Sequence, residues 1–208
     1  MSNLSSARWH AHVQGCGTPP PLRHWLDDAG SLTVKLRARC QQFRVRRLHQ
    51  QRALCLRDEA QMIRLPRAQQ VWEREVLLYC DQQPMVFAHT VVPLSASAND
   101  WPLFSALGER SLGSTLFGDP LVQRGALHFA RLSSQHPLFQ RAQQALHRVG
   151  QQAPAVQSLF ARRCLYRRKR GLLLVTEVFF PWVVQLSAPQ HFDHASAPVS
   201  PAHSLVIS

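Results

Sequence analysis

At 208 residues and 45% hydrophobic content, the chain is long enough to bury one core and too apolar for wholesale disorder. Its 24 Lys and Arg against 12 Asp and Glu leave a formal charge of +12, a surface that attracts anions in general: nucleic acid, acidic lipid or an anionic metabolite. Five scattered cysteines without a C-x-x-C pair argue against a disulfide framework and for reduced thiols in a cytoplasmic protein, and no apolar run approaches the ~20 residues of a membrane helix.

Residues 1–21 are polar and end in Gly15, Gly17 and the run Pro19-Pro20-Pro21, which reads as a flexible leader. A short helix is expected over 22–28, packing Trp25 and Leu26. After Ser31, the spacing of Leu32, Val34 and Leu36 suits either a helix or the start of a strand. Residues 41–50 alternate as a strand. Two more strands, 72–80 and 85–94, flank Asp81-Gln82-Gln83-Pro84, a tight hairpin turn. Residues 97–106 read as a loop into a helix, with Asn99 or Asp100 as its N-cap and Pro102 in the first turn. Ser111 is placed to cap a short helix over 112–117. A strand over 121–132 and an amphipathic helix over 138–149 follow. Residues 160–167 and 172–184 form a second hairpin with Arg168-Lys169-Arg170-Gly171 at its tip. The last stretch, 187–208, is rich in Ser, Ala, Pro and His and reads as a disordered tail. Hairpins with intervening helices define an α+β class: one domain over 22–186, an antiparallel sheet with helices covering one face.

Two charges interrupt the apolar strand faces. Strand side chains alternate, so Arg74 shares a face with Trp72, Val76 and Leu78, and Glu177 with Leu173, Val175 and Phe179. Glu73 and Glu75 point the other way, where they can meet water. Burying a lone charge costs several kcal/mol or more, so Arg74 and Glu177 need partners. Either they form a structural ion pair in the core, or they are reserved for a ligand. They lie 103 positions apart, and only a closed fold can bring them together.

The stretches Trp72-Glu73-Arg74-Glu75, Thr90-Val91-Val92-Pro93, Ser111-Leu112-Gly113-Ser114 and Thr176-Glu177-Val178-Phe179 occur in the order found in chorismate pyruvate-lyases. The chain resembles that family from about residue 25 to 186. The resemblance implies a sheet of about six strands and a cofactor-free lyase that converts chorismate to 4-hydroxybenzoate and pyruvate for ubiquinone synthesis. It also implies roles for residues. Arg74 would hold the ring carboxylate, for which a guanidinium fork is suited. Glu177 would face the ring hydroxyl, either moving a proton or orienting the ring. Leu112 would bind through its backbone, with Gly113 beside it, although an ordinary turn before a helix explains the same residues. Leu32 stands where the family often has methionine, a mild change in the pocket. His89 stands where the family commonly has arginine; it is either a weaker cation of the site or a core histidine.

Other readings are narrower. The same fold resembles effector-binding domains of bacterial transcription regulators, but residues 1–30 are too short and Pro-rich for the helix-turn-helix that precedes those. The cluster Arg162, Arg163, Arg167, Arg168, Lys169 and Arg170 lacks interleaved aromatics and reads as a solvated hairpin tip rather than a nucleic-acid site. His10/His12 and His191/His194 lack a supporting Cys or carboxylate cluster, so no metal is expected. No P-loop, dinucleotide fingerprint or nucleophile elbow is present. The partners expected are therefore chorismate and 4-hydroxybenzoate alone, bound by a monomer.

Overall fold

A computed structural model of the chain describes residues 6–97, 100–102 and 104–186. Six strands form one antiparallel sheet: β1 (Phe43–Leu54), β2 (Gln70–Cys80), β3 (Gln83–Pro93), β4 (Val122–Ser133), β5 (Ser158–Arg168) and β6 (Gly171–Phe179). Their order across the sheet is β1-β2-β3-β6-β5-β4. It consists of two three-stranded meanders, joined where β3 pairs with β6. Both expected tight hairpins form, with Asp81 (φ 56°) and Lys169 (φ 52°) taking the left-handed turn positions. β6 ends at Phe179, earlier than alternation suggested, because Pro181 opens a 3-10 turn over Pro181–Gln185.

Six α-helical segments decorate this sheet: α1 (Pro20–Leu26), α2 (Leu32–Arg37), α3 (Arg57–Met62), α4 (Leu94–Ser97), α5 (Leu112–Gly118) and α6 (Pro137–Arg148). Ser31 resolves the ambiguity after it in favour of helix, its hydroxyl accepting from Val34 N at the start of α2. The helix expected after Asp100 is absent among the described residues. Turns there bury Trp101, Phe104 and Leu107 instead, and Asn99 lies outside the described residues.

The helices lie on both faces of the sheet, not on one. Trp25, Leu26, Leu32 and Leu36 pack on Val76, Leu78 and Ala88 at the front. Leu138, Ala142 and Leu146 of α6 pack on Leu77, Phe87 and Val178 at the back, and α3 covers Val71, Val91 and Leu174 beside them. β2 and β3 are buried almost end to end, so each needs cover on both sides. The acidic residues of β2 disguised its back face as a wet one.

The expected leader is also part of the domain. His10 and Phe129 exchange two backbone hydrogen bonds of 2.8 Å, and Val13 and Cys16 are buried against the front-face core. The proline run starts α1, where an imino nitrogen costs no helix hydrogen bond. Residues 187–208, with the expected tail and His191/His194, lie outside the described residues. No helix among the described residues is long and apolar enough to cross a membrane.

Candidate active site

A pocket opens between the front face of the sheet, α2 and α5. Its lining includes Leu32, Arg74, Leu112, Gly113 and Glu177, five of the six residues singled out from the sequence. Register explains the meeting of the two charges. Arg74 opposes Thr90, which opposes Val175, and Glu177 lies two residues further along β6. Strand spacing and rise then put the two Cα atoms about 12 Å apart on one face, room for a small ring between the side chains.

Arg74 and Glu177 are not each other's partners. The Arg74 side chain is 2% exposed, and its Nη2 donates to Gly108 O and Arg110 O at 3.1 and 3.0 Å. Its Nε is buried without a partner, and no carboxylate among the described residues lies within ion-pair distance. Burial, helped by Arg47, pushes its pKa down to about 10, which still leaves it charged at neutral pH. A buried guanidinium without an anion is an unbalanced charge that an anionic ligand would relieve.

Glu177 is held by Arg162, whose Nε donates to Oε2 at 2.5 Å. The same guanidinium donates through Nη1 to the carbonyls of Trp25, Leu26 and Asp28. Arg162 is 2% exposed and lines the pocket, as does Arg124, which donates to Ala29 O. The pocket wall thus carries three arginines against one glutamate, a surplus of two positive charges. Arg162 had been grouped with the hairpin tip, and Arg124 was not singled out at all. The signal for Arg162 was its place in the alternation Phe160, Arg162, Cys164, Tyr166, masked by the basic residues that follow.

Gly113 is fixed by close approach. A Cβ there would come within 3.1 Å of Thr33 Oγ1, where Thr33 and Ser111 share a 2.5 Å hydrogen bond that clamps α2 to the start of α5.

His89 is not in the pocket. It opposes Glu75 and Thr176, residues of the back face, so its side chain points away from Arg74 and Glu177. There it lies 3.2 Å from Glu75 and 3.0 Å from Glu59 of α3. Burial opposes its charge, but Glu59 and Glu75 outweigh burial and raise its pKa to about 10. Glu73 and Glu75 do not meet water either. Arg141 of α6 bonds both, at 2.7 and 3.0 Å, and His49 adds a 2.9 Å bond to Glu73. Burial works against the Glu73 carboxylate, yet His49, His89 and Arg141 bring its pKa down to about 2. Donor atoms of His49, Glu73 and Glu75 lie within 4.8 Å of one another, a spacing that could hold a cation, but Arg141 already occupies that position as counter-charge.

Fold and pocket together define a single-domain α+β protein with an arginine-lined pocket on the front face of its sheet. Comparison with known proteins narrows this class. A model of the chorismate lyase family matches residues 3–187. A protein of Cupriavidus pinatubonensis named "Probable chorismate pyruvate-lyase" is 47% identical over 174 residues, which cover 83% of this chain and 88% of that protein. Proteins of the same name from Ralstonia nicotianae and Cupriavidus metallidurans are 47% and 45% identical, covering 83% and 92% of this chain and 91% and 87% of their own. The chain belongs to the chorismate lyase family and is a lyase. Among solved structures, the effector domain of PhnF from Mycobacterium smegmatis has the same fold, with a TM-score of 0.53 and 14% identity over 73% of this chain and 89% of that one.

Proposed function

We propose that the chain eliminates pyruvate from chorismate to give 4-hydroxybenzoate, the step that commits chorismate to ubiquinone synthesis. The observation that carries this reading is the pocket's surplus of two positive charges, which matches a substrate with two carboxylates. Arg74, buried and without an acid partner, takes the ring carboxylate as its counter-charge, through donors other than the Nη2 hydrogens already given to Gly108 O and Arg110 O. Leu112, at the first turn of α5, supports the same end of the ring. Leu32 closes the apolar side. Glu177 faces the ring hydroxyl.

The reaction breaks the C–O bond between ring and enolpyruvyl group, its electron pair leaving with the oxygen. The proton on the hydroxyl-bearing ring carbon is lost, the ring becomes aromatic, and the released enol takes a proton at carbon to become pyruvate. The two products hold all the atoms of the substrate and aromatisation drives the step, so the protein's task is positioning and proton handling. Such chemistry suits a monomer acting in the cytoplasm on a freely diffusing metabolite.

The test is direct. The protein incubated with chorismate should yield 4-hydroxybenzoate and pyruvate in equal amounts. No product at any pH or salt concentration would overturn the reading. A second reading, a ligand-binding domain without catalysis, is favoured only by the likeness to the PhnF effector domain. Tight binding of 4-hydroxybenzoate without any turnover would support it instead.

A further inference from the structure

Arg162 shares out its guanidinium nitrogen by nitrogen. Nε holds Glu177 at 2.5 Å, and Nη1 reaches the carbonyls at the end of α1, closest to Asp28 O at 2.8 Å. Nη2 has no partner among the described residues, while the side chain lines the pocket. The carboxylate beside it, that of Glu177, also lines the pocket and is engaged through Oε2. On the sheet, Arg162 directly opposes Glu177 on the side away from Arg74. The order across the pocket floor is therefore Arg74, Glu177, Arg162.

That order matters for a substrate laid out with its ring carboxylate on Arg74 and its hydroxyl toward Glu177. The enolpyruvyl group is attached to the ring carbon next to the hydroxyl, so it lies at the Glu177 end. We infer that Arg162 is the second substrate-facing cation of the pocket, fixing Glu177 through Nε and offering Nη2 to the departing enolpyruvyl group. This inference rests on the lyase reading above. As the C–O bond breaks, its electron pair collects on the enol oxygen beside the side-chain carboxylate. A fixed guanidinium beside the leaving oxygen stabilises that charge more in the transition state than in the bound substrate.

The rival explanation is structural: Arg162 merely staples α1 to β5. The two differ in which ligands they affect, because 4-hydroxybenzoate has the ring, carboxylate and hydroxyl but lacks the enolpyruvyl group. The experiment measures kcat/KM for chorismate and Kd for 4-hydroxybenzoate in the parent, Arg162→Ala and Arg162→Lys. Lysine keeps the charge but cannot hold Glu177 and the α1 carbonyls while presenting a further N–H. The expected result is a loss in kcat/KM of about 100-fold, the cost of removing a transition-state donor, with Kd for 4-hydroxybenzoate within about tenfold of the parent. Where Arg162→Ala does not fold, Arg162→Lys is judged by the same pair of numbers. Parent-like kcat/KM, or equal losses in kcat/KM and in 4-hydroxybenzoate affinity, would overturn the assignment. An inactive parent would instead remove the lyase reading on which it stands.

Discussion

Glu59 and His89 meet 3.0 Å apart behind the sheet, each with about 2% or less of its surface exposed. Glu59 does two things at once: its other oxygen accepts from Leu56 N and starts α3, so one carboxylate ties that helix to β3. The pair is the centre of a buried ionic layer, completed by Glu73, Glu75, His49 and Arg141, directly behind the strands that carry Arg74 and Glu177.

This layer sets a pH window for stability. His89 is raised from 6.5 to about 10, so its contribution is full below pH 6.5 and is lost as pH rises through 10. Glu73 is lowered from 4.5 to about 2, so its contribution is present above pH 4.5 and lost as pH falls through 2. Melting temperature should therefore be highest between about pH 4.5 and 6.5 and fall on both sides. In His89→Gln the alkaline fall between pH 7 and 10 should flatten. An unchanged alkaline limb in that variant would show that His89 is neutral in the fold.

Removing Arg141 leaves two buried carboxylates on β2 with fewer counter-charges. Fully buried broken pairs cost about 3–5 kcal/mol; Arg141 keeps 29% of its side chain exposed, so about 2–3 kcal/mol is expected for Arg141→Met by urea denaturation. A cost under about 0.5 kcal/mol would place the pairs among ordinary surface bridges.

Arg74 should trade stability for binding. Arg74→Ala removes charge-assisted hydrogen bonds to the ligand, each worth about 1.5–3 kcal/mol, so 4-hydroxybenzoate affinity should drop well beyond about tenfold by calorimetry. Arg74→Met fills the space without an unbalanced charge and should raise the melting temperature of the ligand-free protein. Binding of 4-hydroxybenzoate to Arg74→Ala at parental strength would make Arg74 purely structural.

Glu177→Gln separates proton handling from orientation. The amide keeps the shape but not the titratable proton. Turnover should fall much more than 4-hydroxybenzoate affinity. Near-parental turnover would leave Glu177 with orientation alone.

Most of the sheet was legible in the sequence because its hairpins carry their own chemistry. The turn at Asp81 and the tip at Lys169 mark where β2, β3, β5 and β6 must reverse; alternation grouped Arg74 with Val76 and Leu78 and Glu177 with Val175, and the register across β3 then puts both charges on one face. The same parity rule puts His89 on the opposite face from Arg74, since the two strands pair Arg74 with Thr90 and Glu75 with His89. A family position carried the histidine into the pocket, against that arithmetic. Glu73 and Glu75 misled for a different reason. Acidic residues on an alternating strand signal water, and only tertiary partners far along the chain, Arg141 above all, make such a face buriable. Val13 and Cys16 are two small apolar residues in a polar stretch, too weak a pattern to announce packing until β4 is in place beside them.

Among the described residues β1 is an outer strand of the sheet, which gives the arginine surplus a further consequence. Two neighbouring copies of this sheet could extend one another, because an outer strand offers unpaired N–H and C=O groups along its length. Arg44, Arg46, Arg47 and Arg52 are all exposed on that strand, so a second β1 approaching it would bring like charges together rung by rung. Crowded solutions at low ionic strength should therefore keep the molecules apart, and high salt, by screening those charges, removes the protection. The same excess of arginine that lines the pocket also lines the outer edge of the sheet.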